Sequence, residues 1–257
     1  MFTEGPAFNS EGILFFTDIP ANRIYQYSKD GKISVFAEET DGANGLYFDN
    51  DGNLVTCAGE GRKVYLFDKK KNKQLLLEKY EGKKLNSPND LWIDKQGGIY
   101  FTDPRYGSHE GMEQDGMHVY YFKPGSDKVV RIIDDMTRPN GIIGSSDNKT
   151  LYVIDEGADQ FYSYSIESPG KLSNKKLLLN EGADGMSIDT KDNVYLTVEK
   201  GIAKYDALTG EFTRYPLPVK PTNVVWHKNK LWVTTQSGEL WMLELKVPAM
   251  TNPELMQ

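Results

Sequence analysis

The sequence predicts an all-β fold, a six-bladed β-propeller built from four-stranded antiparallel blades. Three observations support this prediction: a six-fold repeat, strand-type alternation of apolar residues, and turn residues between the strands. In each copy a polar or acidic residue opens a short apolar strand, and a second, aromatic-rich strand follows after a turn. Successive copies are 40, 45, 51, 44 and 39 residues apart, counted from their lead residues Glu4, Asn44, Asn89, Asn140, Asp184 and Asn223. A strand-only period of about 40–50 residues is typical of propeller blades.

The first two strands of every blade carry the clearest pattern. The first strands are predicted at 4–8, 44–49, 89–94, 140–143, 184–189 and 223–226. The second strands are predicted at 13–18, 53–56, 98–103, 150–155, 193–197 and 230–235. Aromatic and β-branched residues recur in these segments with a period of two, which is typical of strands with one buried face.

Third and fourth strands complete the blades. Third strands are predicted at 23–27, 63–67, 118–122, 160–164, 201–205 and 239–243. Fourth strands are predicted in five blades, at 33–36, 74–77, 129–133, 176–179 and 212–215. Pairs such as Asp30-Gly31 and Asp51-Gly52 separate them, because glycine supplies the positive φ that tight hairpins need. The sequence from Val247 onward is a poor strand, so we expect an incomplete, three-stranded last blade or a truncated or processed chain.

The length allows one or two domains, and the uninterrupted repeat favours a single propeller domain over residues 1–257. Hydrophobic residues at 39% and aromatic residues at 12% are ample for a core. A net charge of −7 argues against nucleic acid or an anionic membrane surface as a partner. One cysteine, Cys57, excludes an internal disulfide and a multi-thiolate metal site.

The sequence shows neither a membrane span nor a signal peptide. We therefore expect a cytoplasmic protein, or a periplasmic or secreted one if an N-terminal segment has been removed. The sequence leaves the compartment and the oligomeric state open.

The lead residues of the six copies all carry a carboxylate or an amide. The first strand of each propeller blade lines the central channel, so these residues are expected to meet at one mouth of it. Such oxygen atoms are the preferred ligands of Ca²⁺, and Glu4 and Asp184 would balance its charge. The three histidines lack the paired spacing of a zinc site. Asn-Gly and Asp-Gly pairs also form ordinary turns, so the residues alone leave both interpretations open.

Five motifs in order resemble those of the gluconolactonase and senescence-marker-protein (regucalcin) family. They are Glu4-Gly5-Pro6, Leu85-Asn86-Ser87-Pro88-Asn89-Asp90, Thr102-Asp103-Pro104-Arg105-Tyr106-Gly107, Arg138-Pro139-Asn140-Gly141 and Ala183-Asp184-Gly185-Met186. The resemblance covers nearly the whole chain. It implies a six-bladed propeller that binds one divalent metal ion in its channel, and many members of that family hydrolyse sugar lactones.

The resemblance also assigns candidate site residues. It implies that Glu4, Asn140 and Asp184 are metal ligands, and that Asn89 is a ligand or a substrate contact. Ca²⁺ is the expected ion, with Mg²⁺, Mn²⁺ or Zn²⁺ as alternatives. Asp184 would activate water as a general base or attack the ester as a nucleophile, and the sequence does not decide between these roles.

Four further residues are candidates for substrate binding. Asn44 and Asn223 belong to the same ring of lead residues and are expected to be outer ligands or substrate contacts. Arg105 and Tyr106 belong to the longest irregular segment, 104–116, and are expected to contact a polyhydroxylated ligand.

The expected function is therefore metal-dependent hydrolysis of a small sugar-type lactone. One alternative is a calcium-dependent phosphotriesterase of the diisopropylfluorophosphatase type, since the same ion would polarise a P=O bond equally well. The other is a binding scaffold without chemistry, because Phe15-Phe16-Thr17-Asp18 and Tyr100-Phe101-Thr102-Asp103 are near the Tyr-Trp-Thr-Asp motif of receptor propellers.

Overall fold

The computed structural model describes residues 1–245, which form a six-bladed β-propeller. Six antiparallel sheets surround a central axis, and the first strand of each sheet is the innermost. Neighbouring inner strands contact each other in chain order, and the sixth contacts the first. The ring is therefore closed, and the predicted fold class is confirmed.

The first three blades each contain four strands. Blade 1 consists of β1 Thr3–Phe8, β2 Leu14–Asp18, β3 Arg23–Tyr27 and β4 Ile33–Glu38. Blade 2 consists of β5 Ala43–Phe48, β6 Leu54–Ala58, β7 Lys63–Phe67 and β8 Lys73–Leu77. A small hairpin that the sequence did not predict follows, with β9 Lys79–Tyr80 and β10 Lys83–Lys84. Blade 3 consists of β11 Leu91–Ile93, β12 Ile99–Asp103, β13 His118–Phe122 and β14 Val129–Ile133.

Blades 4 and 5 are also four-stranded, and the described part of blade 6 has three strands. Blade 4 consists of β15 Pro139–Gly144, β16 Thr150–Asp155, β17 Gln160–Ser168 and β18 Lys171–Leu179. Blade 5 consists of β19 Ala183–Ile188, β20 Val194–Val198, β21 Gly201–Tyr205 and β22 Phe212–Pro216. Blade 6 consists of β23 Pro221–His227, β24 Lys230–Thr235 and β25 Leu240–Glu244. The segment from Val247, predicted to be a poor strand, lies outside the described residues.

The core lies between the blades and is built from the apolar faces of the second and third strands. Phe101 on β12 and Tyr120 on β13 are fully buried, and their rings stack with centroids 5.4 Å apart. This packing explains the period-two aromatic pattern of the sequence. The helical structure of residues 1–245 is limited to the 3₁₀ turn Glu156–Ala158, and none of it is long and apolar enough to cross a membrane.

Aspartate side chains fix the outer hairpin turns. Asp49 Oδ1 accepts hydrogen bonds from the backbone N–H groups of Asp51 and Asn53, at 3.0 and 2.7 Å. Asp68, Asp94 and Asp189 likewise accept hydrogen bonds from the backbone N–H groups of the residues two and four positions later in the chain. These are Asx turns, in which a short carboxylate replaces a backbone acceptor.

Three threonines join blade 6 to blade 1 and close the ring. Thr222 Oγ1 donates to the carbonyl of Thr3 at 2.6 Å, and Thr3 Oγ1 donates to the carbonyl of Thr235 at 3.1 Å. The amide of Thr235 in turn donates to Thr3 Oγ1 at 3.1 Å. All three residues are buried, so the hydroxyls of Thr3 and Thr222 pair with backbone groups that water does not reach.

Thr222→Val keeps the shape of this side chain but removes its hydroxyl. We expect the free energy of unfolding to fall by about 1–3 kcal/mol, because the Thr3 carbonyl is left buried without its donor. Urea unfolding measures the change, with Thr213→Val on the exposed strand β22 as the matched control. Equal effects of the two substitutions would contradict a role for Thr222 in ring closure.

Candidate functional site

The inner strands present two successive layers of residues to the channel. The upper layer consists of residues that occupy equivalent positions in the strand pairing: Glu4, Asn44, Asn89, Asn140, Asp184 and Thr222. The next residue of each blade forms the lower layer, which consists of Gly5, Gly45, Asp90, Gly141, Gly185 and Asn223. We call the upper layer the oxygen ring.

The register of blade 6 places one of the six lead residues, Asn223, in the lower layer. The amide of Asn223 donates to Thr234 Oγ1 at 3.1 Å, as the amides of Gly185 and Asp90 donate to the threonines of their own second strands. Asn223 is therefore equivalent to Gly185, and Thr222 occupies the ring position. The Asn223 side chain therefore lies one layer below the ring, where it interacts with the carboxyls of Glu4 and Asp90 and lines a second cavity of about 280 Å³.

The oxygen ring forms the floor of the main cavity, which has a volume of about 740 Å³. The predicted site residues that line it are Glu4, Asn44, Asn89, Tyr106, Asn140 and Asp184. Arg105 is not among the lining residues. Its Nε donates to the carbonyl of Ser108 and its Nη1 to that of Asn86, so its guanidinium holds the loop backbone.

Asn140 connects the loop to the ring. Its Nδ2 donates to Tyr106 Oη and to Asp184 Oδ1, each at 2.7 Å. Both amide hydrogens are thus engaged, which leaves Asn140 Oδ1 as an acceptor. The Arg138 guanidinium lies 4.9 Å from the Tyr106 ring centroid and its Nε pairs with Glu156. The ring and its loop are therefore oriented by a continuous set of contacts.

Three carboxyl groups meet around the axis: Glu4 and Asp184 in the ring, and Asp90 below it. Burial raises the pKa of Glu4 well above its usual range, and the charges of Asp184 and Asp90 raise it further. Burial likewise raises the pKa of Asp184, although the hydrogen bond from Asn140 opposes the shift. Burial raises the pKa of Asp90 to about 7. Burial is thus the largest cause of all three shifts, and repulsion among the carboxyls adds to the shifts of Glu4 and Asp184.

The basic side chain that interacts with Asp184 already has a salt-bridge partner. Lys220 lines the cavity and lies close enough to Asp184 for their charges to interact. However, its Nζ forms a salt bridge with Glu199 at 2.9 Å. Within residues 1–245 the carboxylates of Glu4, Asp90 and Asp184 form no salt bridge of their own.

The donor set of the ring suits a hard divalent cation. Two carboxylates and the amide oxygens of asparagines are the groups that Ca²⁺ prefers. No group of three or more His, Cys, Asp and Glu side chains within residues 1–245 is arranged to hold a metal ion. An ion on the ring would therefore need the asparagine oxygens in addition to Glu4 and Asp184.

Threonine hydroxyls at the ends of the second strands support the ring from the neighbouring blade. Thr17 Oγ1 donates to the carbonyl of Asn44 at 3.1 Å, and Thr102 Oγ1 donates to that of Asn140 at 2.7 Å. Each bond links one blade to the ring residue of the next blade along the chain. The ring residues are thereby fixed through their backbone as well as their side chains.

Aspartates at the ends of the second strands hold the segments leading into the inner strands. Asp103 accepts from the amides of Asn86 and Ser87, each at 2.8 Å. Asp155 accepts from the amides of Thr137 and Arg138, at 2.9 and 2.8 Å. The sequence reasoning missed this role, although the repeated Thr-Asp ends at Thr17-Asp18 and Thr102-Asp103 were its signal. Asp90 was missed because only the lead position of each copy was considered.

The fold agrees with comparisons to known proteins. The family model described as SMP-30/Gluconolactonase/LRE-like region matches residues 2–237. The chain belongs to this family. The motif resemblance found in the sequence is therefore confirmed.

Two curated relatives of the SMP-30/gluconolactonase/LRE-like family illustrate the match. A gluconolactonase from Zymomonas mobilis is 30% identical, and the alignment covers 78% of this chain and 65% of that protein. Lactonase drp35 from Staphylococcus epidermidis is 28% identical, and the alignment covers 76% of this chain and 62% of that protein. The chain thus spans just under two thirds of the length of these relatives.

A solved structure shows the same similarity at the level of the fold. The structure of a gluconolactonase from Xanthomonas campestris superposes with a TM-score of 0.87 at 28% identity. The superposition covers 95% of this chain and 86% of that one. The similarity therefore extends over the six blades.

Asp90→Asn tests the charge crowding on the axis. With metal removed by a chelator, we expect the wild-type free energy of unfolding to fall as pH rises from 5 to 8. The reason is that a carboxyl whose pKa is raised by folding binds its proton more tightly in the folded state than in the unfolded state. The stability gained from this binding is lost as the pH rises through the pKa of the folded state. The variant should show a shallower decline, because one such group is gone.

Thermal unfolding at each pH measures this dependence. Asp206→Asn is the control, because Asp206 lies in an exposed turn and hydrogen bonds lower its pKa. A decline as steep in Asp90→Asn as in the wild type would show that Asp90 does not contribute.

Proposed function

We propose that the protein hydrolyses lactones with the help of one divalent metal ion bound to the oxygen ring. One observation supports this most strongly: two ring carboxylates, Glu4 and Asp184, lie on the floor of a large cavity and have no salt-bridge partner among residues 1–245. Family membership adds to it, because relatives 30% and 28% identical are a gluconolactonase and a lactonase.

The metal would be held by Glu4, Asn140 and Asp184, with Asn89 as a further ligand or a substrate contact. Ca²⁺ suits this donor set best, and Mg²⁺, Mn²⁺ and Zn²⁺ are alternatives. When bound, such an ion supplies Lewis-acid polarisation of the ester carbonyl. Asn140 serves the site in a second way, since its Nδ2 holds Asp184 through Oδ1 and leaves Oδ2 free.

Asp184 is the proposed catalytic group. As a general base it would take the proton of the attacking water while the water oxygen bonds to the carbonyl carbon. The bond from that carbon to the ring oxygen then breaks, and the proton passes to the departing oxygen to give a hydroxy acid. As a nucleophile, Asp184 would instead attack the carbonyl carbon, and an anhydride would form as the bond from that carbon to the ring oxygen breaks and the departing oxygen takes a proton from water. A second water molecule would then open the anhydride and release the hydroxy acid and the Asp184 carboxylate.

Substrate binding is proposed for the polar residues around the ring. Asn44 and Asn89 line the cavity and offer amide donors and acceptors to the hydroxyls of a sugar-type lactone. Tyr106 lines the cavity as well, and its hydroxyl contacts Asn140. This places a loop residue directly beside a proposed ligand.

Metal removal is the first test of this proposal. Dialysis against a chelator should abolish hydrolysis of glucono-δ-lactone, because the ring loses the ion that activates the carbonyl. Adding back Ca²⁺, Mg²⁺, Mn²⁺ or Zn²⁺ should restore activity to different degrees. Full activity in thoroughly demetallated protein would rule out the metal-dependent mechanism, and cleavage of phosphotriesters alone would favour the phosphotriesterase alternative.

Two isosteric substitutions distinguish a metal ligand from a general base among the ring carboxylates. Asp184→Asn keeps an oxygen but removes basicity and nucleophilicity, so kcat should fall by roughly 10²–10⁴ at saturating metal. Glu4→Gln should mainly weaken metal binding and be partly rescued by excess metal. Steady-state kinetics and metal titration of both variants measure the difference. Near-normal turnover of Asp184→Asn at saturating metal would show that Asp184 is a ligand only.

A further inference from the structure

The two halves of the main cavity differ in polarity. Blades 2, 3 and 4 contribute polar or charged side chains and glycines, together with Tyr106. The aliphatic and phenyl side chains of the lining all come from blades 5, 6 and 1: Phe2, Ile19, Pro20, Ala183, Val198 and Pro221. Since these three blades are neighbours in the closed ring, the apolar side chains occupy one side of the cavity.

The centre of this apolar side is formed by Ile19, Val198 and Pro221, which we call the apolar wall. Ile19 directly follows β2, Val198 ends β20 and Pro221 begins β23, so all three lie at the end of the blades where the oxygen ring is found. The amide of Ile19 donates to the carbonyl of Phe2 at 3.2 Å, which fixes its backbone. The wall is therefore a built surface beside the ring.

The cavity is larger than a simple sugar lactone requires. A six-carbon sugar lactone has about twelve non-hydrogen atoms, which fill at most about 360 Å³ even at the volume share of liquid water, about 30 Å³ each. The cavity volume is about 740 Å³. Roughly half of the space is thus left for a substituent.

The charges of the lining disfavour an anionic substituent. Acidic residues surround the mouth, and they are Glu60, Glu156, Asp159, Glu181 and Glu199. Lys220 is the one base among the described lining residues, and it pairs with Glu199. A phosphate or carboxylate entering the cavity would meet a net negative potential.

We propose that the preferred substrate is an uncharged lactone with an apolar substituent of several carbons. Its ester group lies over the oxygen ring, and its substituent packs on the apolar wall. This inference rests on the proposed lactone hydrolysis and specifies the substrate class of that same site.

The test is a series of δ-lactones with increasing alkyl length, assayed with the metal-loaded protein. The series is δ-valerolactone, δ-hexalactone, δ-octalactone and δ-decalactone, with glucono-δ-lactone and its 6-phosphate for comparison. We expect kcat/KM to rise about fourfold for each methylene that the wall buries, and to be at least tenfold lower for the phosphate than for its neutral parent. A flat series, or a preference for the phosphate, would overturn the inference.

Ile19→Ser tests the wall itself. The ratio of kcat/KM for δ-octalactone to that for δ-valerolactone should fall about tenfold, because the variant loses apolar surface that the longer substituent contacts. Leu208→Ser is the control, because Leu208 is 95% exposed in a turn of blade 5 and does not line the cavity. Ile19→Thr, a smaller change, serves if thermal unfolding shows that the serine variant does not fold. An unchanged chain-length preference in the folded variant would contradict the role of the wall.

The outcomes separate this inference from the proposed function. If neither the alkyl lactones nor the sugar lactones are hydrolysed, the proposed lactone hydrolysis is wrong and the proposed substrate class is wrong with it. If all the lactones are hydrolysed with similar kcat/KM, lactone hydrolysis stands and only the inference about the substituent is overturned.

Discussion

The structure depends on holding three acidic side chains together on the axis of a closed ring. Glu4, Asp90 and Asp184 are brought together from three different blades, and their pKa values are raised by burial. Such crowding costs free energy when the carboxyls are ionised and no cation is present. A bound divalent cation would offset that cost, so the same residues link the stability of the centre to the proposed function.

The scaffold tolerates this crowding because backbone contacts place the inner strands. Glycines in the lower layer let the strands approach closely: a Cβ at Gly5 would lie 2.1 Å from the carbonyl oxygen of Asn44, and one at Gly141 would lie 2.7 Å from that of Asp184. Threonine hydroxyls such as that of Thr102 then tie blades 1, 3 and 5 to the blade that follows each of them. The aromatic packing between blades supplies the burial that stabilises the ring as a whole.

Local sequence patterns predict much of this arrangement, but not all of it. The six blades follow from alternation and turn chemistry, and the motifs place Glu4, Asn140 and Asp184 correctly on the ring. The position of Asn223 one layer below the ring could not be predicted, because a one-residue register difference is invisible when Thr222 and Asn223 are both polar. The orientation of Arg105 could not be predicted, because its carbonyl partners are set by the path of an irregular loop. The polarity difference across the cavity depends on which blades adjoin, which appears only once the ring is closed.

A crystal structure of the protein grown with Ca²⁺ tests the central claim most directly. The account predicts one strong density peak in the main cavity, with oxygen atoms of Glu4, Asn140 and Asp184 at about 2.3–2.6 Å from it. Anomalous scattering would identify the peak as calcium. A fully occupied Ca²⁺ site elsewhere with an ion-free ring, or an ion bound without Glu4 and Asp184, would contradict the account.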